Sequence, residues 1–469
     1  MNPESTTERT VGPNSRVVGL YLMFLRRNME HFFPDATLNL MGDRSFIHVD
    51  GLAGAAVERI SIVDDPDGVG VIIDWLRSRF LLTPGSPTPF LPAERRLIDV
   101  ILRTLDHRFL ALFDAEAANR GDLFQYAFED AMVTEYLDPP ESHRVPAALE
   151  ALRVAALSTY ENRRVSTGAL LLGTEDDPAD PAWANAPGAP KYSVRLTAIK
   201  GFHRLCDGVR TVYLVDRQGD LARAIDIGEW ADRAYGPDGP RSPCPRAYRN
   251  HARATRSGDH ICLVLTPSQE IKVFAGGNMA FSFSDARWRL LDIPTKFATW
   301  CKAVGATGEL DLAHRLFQAA LNLAEDRKGA LFVVLRDPAA SVTQLIAPAD
   351  RIDEDIPHDD PEDPDNLSPR LAKRSLHHVV RGRGIGEIDA TVLEALAGID
   401  GAVATDREGR LLTFGAILRI APENLKVARA VEGARTLAAL AASLHGPVLK
   451  VSEDGFLTMF FGGRRVWEL

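Results

Sequence analysis

An internal repeat is the feature that most constrains the fold of this chain. The sequence AALSTYENRR at 155–164 is similar to AALNLAEDRK at 319–328. Each copy leads into an apolar run that predicts a β-strand, GALLLG at 168–173 and GALFVVL at 329–335. Two further pairs of similar segments follow in the same order. The repeat therefore predicts two homologous α/β units, with accidental matches within ordinary α/β alternation as the competing interpretation.

The further pairs are a polar turn and a hairpin. VDRQGDL at 215–221 is similar to TDREGRL at 405–411, and both are typical of a turn that follows a strand. ICLVLTPSQEIKVFAGG at 261–277 is similar to VLKVSEDGFLTMFFGG at 448–463. Both segments predict two strands joined by a short turn and followed by a Gly-Gly turn.

The whole chain is predicted to contain a tail and three domains, since its 469 residues suffice for about three. The expected segments are a disordered tail at 1–16, a mixed α/β domain at 17–145, and the repeat units at 146–305 and 306–469. Within the second unit, the stretch 351–370 carries eight acids and four prolines. It predicts a solvated loop. Chelation of a cation is the weaker alternative, because the prolines break the EF-hand pattern.

Periodicity predicts the elements of the N-terminal domain. Spacing typical of helices occurs at 17–33, 69–79 and 94–113, and alternation typical of strands occurs at 45–49 and 59–63. No constellation of catalytic side chains stands out in this domain.

Composition narrows the class of protein. The net charge is −10, with 54 basic against 64 acidic residues, which argues against binding nucleic acid through bulk charge but leaves a local basic pocket open. The four cysteines lie far apart, so neither a disulfide framework nor a zinc site is expected. No apolar run approaches the roughly 20 residues that span a bilayer. We therefore expect a cytoplasmic protein without a membrane partner.

The second unit carries the candidate site. Asp400 stands just before a predicted strand, so its carboxylate would lie at a sheet edge. Gly401 and Ala402 beside it have no bulk, so a planar base or a ribose could approach. A carboxylate in this position could hold a divalent ion, although an Asp-Gly turn into a strand is also common.

Two further segments of the second unit could hold phosphate. Arg435 and Thr436 begin an Ala-rich helix, and a helix N-terminus with an arginine favours anions. Ser452 and Glu453 end a strand, where the serine could donate to a phosphate and the glutamate could share a metal with Asp400. Taken singly, the first segment is equally an ordinary helix start, and the second an ordinary polar turn.

Taken together, these segments resemble a known family. Asp-Gly-Ala at 400–402, Gly-x-Arg at 433–435 and Ser-Glu-Asp-Gly at 452–455 follow one another as in the diadenylate cyclase domain, the nucleotide-binding domain at the N-terminus of the DNA integrity scanning protein. The resemblance covers most of 306–469 and is nearest to degenerate, sensor-like branches of the family. It implies an α/β fold with two tandem diadenylate-cyclase-like domains, each a mixed sheet flanked by helices, after the N-terminal domain.

The resemblance also implies roles for single residues. Asp400 and Glu453 would be catalytic and would hold Mg²⁺ or Mn²⁺ with a nucleoside triphosphate. The nucleotide would be bound by residues of four segments, namely Gly401, Ala402, Gly415, Leu418, Gly433, Ala434, Arg435, Thr436 and Ser452.

Departures from the family leave the function open. The family usually carries Arg-His-Arg where this chain has Arg435-Thr436-Leu437, and a histidine where it has Ile399. One interpretation is a metal-dependent nucleotidyltransferase that joins two nucleoside triphosphates into a linear or cyclic dinucleotide. The second is a nucleotide or dinucleotide sensor without turnover that regulates an effector protein in bacterial signalling. The third is a scaffold in which both units are degenerate.

The first unit is predicted to have lost catalysis. Alignment of the polar turns places Arg210 opposite Asp400, and alignment of the hairpins places Thr266 and Pro267 opposite the serine and glutamate. The two units would then pair as an intramolecular pseudo-dimer with one competent face, or two chains would pair as a homodimer. The segment HARAT at 251–255 is a candidate remnant of a phosphate-binding helix start.

Overall fold

The computed structural model of this chain describes most, but not all, of its residues. The described ranges are 15–43, 60–112, 126–137, 144–182, 187–199, 201–305, 310–352, 376–420 and 433–469, apart from positions 67, 77, 86, 87 and 381. The predicted strand at 45–49, nearly all of the predicted tail at 1–16 and nearly all of the acidic stretch at 351–370 lie outside these ranges. In the described ranges, no helix combines the length and the apolar character needed to cross a membrane.

The N-terminal region is a four-stranded antiparallel sheet with helices, in the strand order β1-β4-β3-β2. Its elements are α1 (Ser15–Phe32), β1 (Thr37–Asp43), β2 (Ile60–Asp64), β3 (Val71–Trp75), β4 (Ser78–Thr83), α2 (Pro92–Ala111) and α3 (Phe128–Leu137). The helices predicted at 17–33 and 94–113 are confirmed as α1 and α2, and the strand at 59–63 is confirmed as β2.

The helix predicted at 69–79 is wrong, because this segment forms the hairpin of β3 and β4. Buried and half-buried residues alternate along both strands, which is the period of two of a sheet rather than the period of a helix. Leu76 adopts a positive φ of 50° where the chain reverses. Val71, Ile72 and Ile73 favour a strand because their β-branched side chains pack well on a pleated surface.

The first repeat unit is built on a seven-stranded sheet in the order β13-β12-β11-β10-β7-β8-β9. Its elements are α4 (Arg144–Ala156), β5 (Thr159–Tyr160), β6 (Arg163–Arg164), β7 (Thr167–Leu171), α5 (Val194–Thr197), α6 (Phe202–Leu205), β8 (Thr211–Val215), β9 (Leu221–Asp226), α7 (Ile227–Tyr235), α8 (Arg249–Ala254), β10 (Ile261–Leu265), β11 (Ile271–Ala275), β12 (Asn278–Ser284), β13 (Arg287–Leu290) and α9 (Ile293–Val304).

The second repeat unit is built on a six-stranded sheet in the order β16-β15-β14-β17-β18-β19. Its elements are α10 (Leu310–Glu325), β14 (Ala330–Leu335), α11 (Pro338–Leu345), α12 (Ala390–Ala397), β15 (Ala402–Asp406), β16 (Leu411–Ala416), α13 (Ala434–Ala442), β17 (Val448–Val451), β18 (Leu457–Phe461) and β19 (Arg464–Glu468).

The two sheets have the same topology. Six strands of the first sheet, β9-β8-β7-β10-β11-β12, correspond in order to the six strands of the second. In each sheet the second and third strands from one edge are parallel, β8 with β7 and β15 with β14, and the other neighbours are antiparallel. The expected α/β class, with mixed sheets flanked by helices, is thereby confirmed.

Strand pairing also fixes which residues correspond between the units. Leu171 pairs with Val215 as Val334 pairs with Thr405, which aligns the polar turns that follow β8 and β15. The pairing of β10 with β7 and of β17 with β14 gives the same offset between β7 and β14. The correspondence therefore rests on two separate strand pairs.

The units pack against each other through one continuous cluster of buried side chains. On the first sheet the cluster uses the face that α7 and α8 cover, and on the second sheet it uses the face that α10 covers. The other face of the first sheet packs against α4 and the N-terminal helices. The other face of the second sheet packs against α11 and α13. The contact between the units therefore joins unlike faces of the repeat.

Candidate functional site

Five polar residues of the second unit meet at the edge of its sheet, and we call them the Arg435 cluster: Asp400, Arg435, Thr436, Lys450 and Glu453. The Arg435 guanidinium lies 3.9 Å from Oδ1 of Asp400 and 3.4 Å from Oε1 of Glu453. Residues from the loop before β15, the start of α13 and the turn after β17 are thus brought together. The acids lie at the surface, with 90% of the Asp400 side chain and 74% of the Glu453 side chain exposed.

A glycine makes room for the central arginine. Gly329 precedes β14, and a Cβ atom on this residue would collide with Nη1 of Arg435. The guanidinium is 33% exposed, so it lies over the backbone while one side remains open to solvent. Because guanidinium groups bind carboxylates and phosphates with the same fork of donors, Arg435 could exchange its carboxylate partners for phosphate.

The glycine next to Asp400 serves the packing of strands. Gly401 has a φ of 122°, and a Cβ atom there would lie 2.6 Å from the carbonyl oxygen of Gly415. The space beside Gly401 is therefore filled by β16. Ala402 and Leu418 lie in the buried cluster between this sheet and α13, so they line the core next to the candidate site.

The start of α13 presents its first turn to the cluster. Gly433 precedes the helix with a φ of 91° and supplies no side-chain cap, and Ala434 is the first helical residue. The Thr436 hydroxyl accepts a hydrogen bond of 2.9 Å from Nζ of Lys450 on β17. The first backbone N–H groups of a helix have no partner within the helix, and the helix dipole favours an anion at this end.

Lys450 is the member of the cluster that the sequence analysis missed. Burial lowers the pKa of its ammonium group below the ordinary value for lysine, and Arg435 lowers that pKa further, while Glu468 and Asp454 oppose the shift. Alternation along β17 could have revealed it, because Lys450 lies one residue beyond the buried Leu449 and therefore points to the α13 face.

Ser452 closes the turn after β17. Its backbone N–H donates to the carbonyl oxygen of Phe456, and its Oγ accepts a hydrogen bond of 3.1 Å from the Phe456 N–H. The hydroxyl proton is not used in these bonds. Ser452 therefore keeps one donor for a ligand at the rim of the cluster.

The acids fit a divalent cation only together with a ligand. Among the described residues, no group of three or more histidine, cysteine, aspartate or glutamate side chains could hold a metal ion. Asp400 and Glu453 are at present bridged by the cationic Arg435. Two carboxylates that share Mg²⁺ with phosphate oxygens and waters are nevertheless a common arrangement. These residues fit such an ion once Arg435 has turned to the phosphates.

Among the described residues of the first unit, no comparable cluster occurs at the corresponding edge. The strand pairing places Arg210 at the position of Asp400, as the sequence analysis expected. The nearby Asp207 accepts hydrogen bonds from the backbone N–H groups of the three residues at 209–211. Burial raises the pKa of Asp207, but these bonds and one from the Thr211 hydroxyl outweigh it and lower the pKa. This carboxylate is committed to its own loop.

The expected phosphate-binding remnant at 251–255 is wrong. These residues lie at the end of α8 rather than at its start. His251 is fully buried, and its Nε2 atom lies 2.8 Å from the carbonyl oxygen of Gly208. Arg253 is bound to the Asp232 carboxylate and to the backbone of Gly236. The segment secures the packing of α8.

Comparisons with known proteins add little to this description. No protein-family model matches the sequence, and neither does any curated protein. A solved structure of a hypothetical membrane spanning protein from Bacillus cereus is 17% identical over 37% of this chain and 71% of that chain, with a TM-score of 0.26. The structure of DacA from Staphylococcus aureus is 19% identical over 33% of this chain and 87% of that chain, with a TM-score of 0.19. At such TM-scores, neither likeness carries an argument.

Proposed function

We propose that this chain is a nucleotide-binding signalling protein of the diadenylate-cyclase-like kind and that the Arg435 cluster holds the phosphates. The observation that supports this proposal is the convergence of Arg435 and Lys450 on the start of α13. Two cations beside a helix N-terminus favour an anion that carries several charges. In this proposal, the two units are tandem diadenylate-cyclase-like domains, and the second one binds the ligand.

In this proposal, the two acids of the cluster, Asp400 and Glu453, would hold a divalent metal ion. Phosphate groups would draw Arg435 away from Asp400 and Glu453, and these two carboxylates would then hold Mg²⁺ or Mn²⁺ against the triphosphate. The bound metal would supply charge neutralisation and polarisation of a ribose hydroxyl. In the sensor interpretation, binding of the ligand would affect the first unit, because the turn after β17 contacts that unit. The chain would then pass the signal to an effector protein. Arg289 of the first unit lies 4.0 Å from the ring of Phe456.

Calorimetry with the full chain tests the binding. Each nucleoside triphosphate is titrated with Mg²⁺ into the wild type and into Arg435→Ala. We expect at least a tenfold loss of affinity, because charge-assisted hydrogen bonds to phosphate are among the strong ones. Arg407→Ala is the matched control, since this exposed arginine lies at the other end of β15 from Asp400. Equal affinity of the wild type and Arg435→Ala would remove the proposal.

The lowered pKa of Lys450 gives the binding a pH signature. The ammonium group is charged below its pKa, so the affinity for the triphosphate should fall as the pH rises through a value below the ordinary one for lysine. Lys450→Arg keeps its charge at alkaline pH. We therefore expect the affinity of the wild type to decline at a lower pH than an ordinary lysine would require, while that of Lys450→Arg stays level. Parallel curves for the two proteins would exclude Lys450 from the phosphate site.

Dinucleotide synthesis is the second candidate, and it is favoured by the exposure of Asp400. A carboxylate that is 90% exposed is accessible to a second nucleotide held by another molecule. Because the first unit has Arg210 at the corresponding position, a second copy of this chain would have to present that nucleotide. Mass analysis of the products from labelled triphosphates, with Asp400→Asn as the control, tests turnover and separates linear from cyclic products. If the triphosphate binds but no dinucleotide forms, the protein is a sensor without turnover.

A further inference from the structure

A second cavity lies between the two units, away from the Arg435 cluster. It is a partly open cavity of about 410 Å³ between the loop before α8 and one side of α9 and α10. This volume is within the range of small-molecule sites, roughly 300–1,000 Å³. Its lining combines apolar and cationic groups, chiefly Pro240, Pro243, Phe297, Arg241, Arg249 and His314. None of these residues belongs to the Arg435 cluster.

Hydrogen bonds from α10 hold the loop of the cavity in place. Nε2 of Gln318 donates to the carbonyl oxygen of Cys244 at 2.6 Å. Oδ1 of Asn322 accepts a bond of 2.8 Å from the backbone N–H of Arg246. The loop therefore belongs to the first unit in sequence but is fixed by side chains of the second. A cavity fixed in this way is largely formed before a ligand arrives.

The cations of the cavity differ in their partners. The Arg246 guanidinium binds both carboxylate oxygens of Glu394, at 2.6 and 2.7 Å. Within the described part of the chain, neither Arg241 nor Arg249 makes an ion pair or a side-chain hydrogen bond. The stem of Arg241 lies against the Gly-Gly turn after β11, where a Cβ atom on Gly277 would lie 3.1 Å from its Cγ. Two guanidinium groups that have no acidic partner among the described residues thus flank one opening.

Two aromatic rings line the cavity, those of Phe297 and of the exposed His314. Phe297 is half-buried and packs edge to face against His314, with ring centroids 5.9 Å apart. Burial lowers the pKa of His314, and Arg249 and Arg315 lower it further against the effect of Asp311. The lowered pKa favours the neutral imidazole, which can both donate and accept one hydrogen bond. A planar ring with polar edges matches these two rings.

We propose that this cavity binds a mononucleotide, with its phosphate on Arg241 and Arg249 and its base against Phe297 and His314. The phosphate supplies the charge that the two arginines lack, and the base supplies a flat apolar face with hydrogen-bonding edges. The proposal does not depend on the Arg435 cluster. A ligand in this cavity would contact both units at once, so its binding would stabilise their contact.

Calorimetry with the Arg435→Ala variant tests the proposal, because binding at the Arg435 cluster then no longer contributes to the measured heat. Adenosine monophosphate, ribose 5-phosphate and adenosine are titrated into the full chain. We expect the complete nucleotide to bind at least tenfold more tightly than either fragment. Arg249→Ala should lower the affinity for the nucleotide at least tenfold, whereas Arg233→Ala, on the exposed side of α7, should leave it unchanged.

A second variant separates the role of the ring from that of the charge. Phe297→Leu should weaken the nucleotide and leave ribose 5-phosphate unchanged. Arg241→Gln, which changes an exposed side chain, repeats the test of charge if Arg249→Ala has a lowered melting temperature. The proposal is overturned if the nucleotide does not bind, if it binds no better than the fragments, or if Arg249→Ala and Arg241→Gln both bind as tightly as their parent. The effect of Arg435→Ala on triphosphate binding tests the function proposed above and does not test the nucleotide site in this cavity.

Discussion

The two repeat units share a sheet and two turns but differ at the site. Asp216 and Asp406 each accept a hydrogen bond of 2.8 Å from the backbone N–H four residues later. Thr266 and Ser452 likewise accept one from the N–H four residues later, at 3.0 and 3.1 Å. The positions of Gly329, Asp400, Lys450 and Glu453 are held in the first unit by Ser166, Arg210, Val264 and Pro267.

This difference distinguishes side chains that stabilise the fold from side chains that form the candidate site. Groups that close a turn are present in both units, because an unpaired backbone N–H group costs stability in either. Among the described residues, the charged groups at the open sheet edge occur in the second unit, and the first unit has other residues at those positions without losing any strand. The first unit therefore retains the fold without this charged edge, which the second unit adds.

The largest effect is expected where the two units meet. The Lys272 ammonium is 7% exposed and binds the Glu325 carboxylate across the contact, with Glu270 3.5 Å away. Lys272→Met would leave the Glu325 carboxylate without its cation, while Glu270 would keep its ion pair with Arg327. We expect the free energy of unfolding to fall by about 2–4 kcal/mol, since removal of one partner leaves a buried charge unpaired.

Denaturant unfolding measures this change. Lys328→Met is the matched control, because Lys328 pairs with Asp326 on the surface, where ion pairs contribute about 0–1 kcal/mol. If both variants unfold like the wild type, the contact between the units does not depend on the buried pair.

The next effect distinguishes the loops before the central strands. Gly401→Ala would force a Cβ atom against the backbone of Gly415 at a positive φ, which should cost about 2–4 kcal/mol. Gly462→Ala is the control, because its φ of 61° is also positive but a Cβ atom there would meet no atom within 4 Å. Thermal unfolding compares the two variants. Equal melting temperatures would show that the close approach of β16 does not restrict this position.

Residues 69–79 and Gly401 show which features of the fold the sequence could reveal and which it could not. The repeat, the strands and the polar turns were predictable, because each depends on residues close together in sequence. The hairpin in place of the helix at 69–79 was missed, because a short apolar run satisfies both periods. The packing role of Gly401 was missed as well, because it depends on β16, which approaches only in the folded sheet.

Sequence similarity between the units also exceeded structural similarity at one point. In the second copy, AALNLAEDRK continues α10 to Glu325, whereas in the first copy α4 ends at Ala156 and the strands β5 and β6 follow. Glu161 and Asn162 both adopt positive φ values in the turn between these strands. The ends of such elements depend on local turn conformations that matching letters do not determine.

A smaller effect contrasts the two aspartates. Asp207→Ala removes the acceptor of three backbone N–H groups and should destabilise the chain by about 1–2 kcal/mol. Asp400→Ala should change stability by less than about 0.5 kcal/mol, because its carboxylate is exposed. Denaturant unfolding at pH 7 measures both variants. If Asp400→Ala is the more destabilising of the two, the view that Asp207 stabilises the fold while Asp400 serves the candidate site is wrong.

The pH dependence of stability sharpens the same contrast. The folded-state pKa of Asp207 lies below its unfolded value, so its contribution is complete above the unfolded value and is lost as the pH falls through the folded one. The difference in stability between the wild type and Asp207→Ala should therefore shrink in acid. A difference that is constant from pH 7 to about pH 2 would show that the hydrogen bonds do not depend on the carboxylate charge.

The smallest effect concerns the hydroxyl groups of the matched turns. Thr266 is 1% exposed, and besides the turn bond its Oγ1 contacts Oγ of Ser268 at 2.8 Å, so Thr266→Ala should cost about 1 kcal/mol. Ser452→Ala should cost about 0.5 kcal/mol, because Ser452 is half-buried and water can satisfy the Phe456 N–H. Only Ser452→Ala should also weaken triphosphate binding, since only this hydroxyl lies beside the Arg435 cluster. A similar loss of binding in Thr266→Ala would mean that the first unit contributes to the ligand site, and the division of labour between the two units would have to be abandoned.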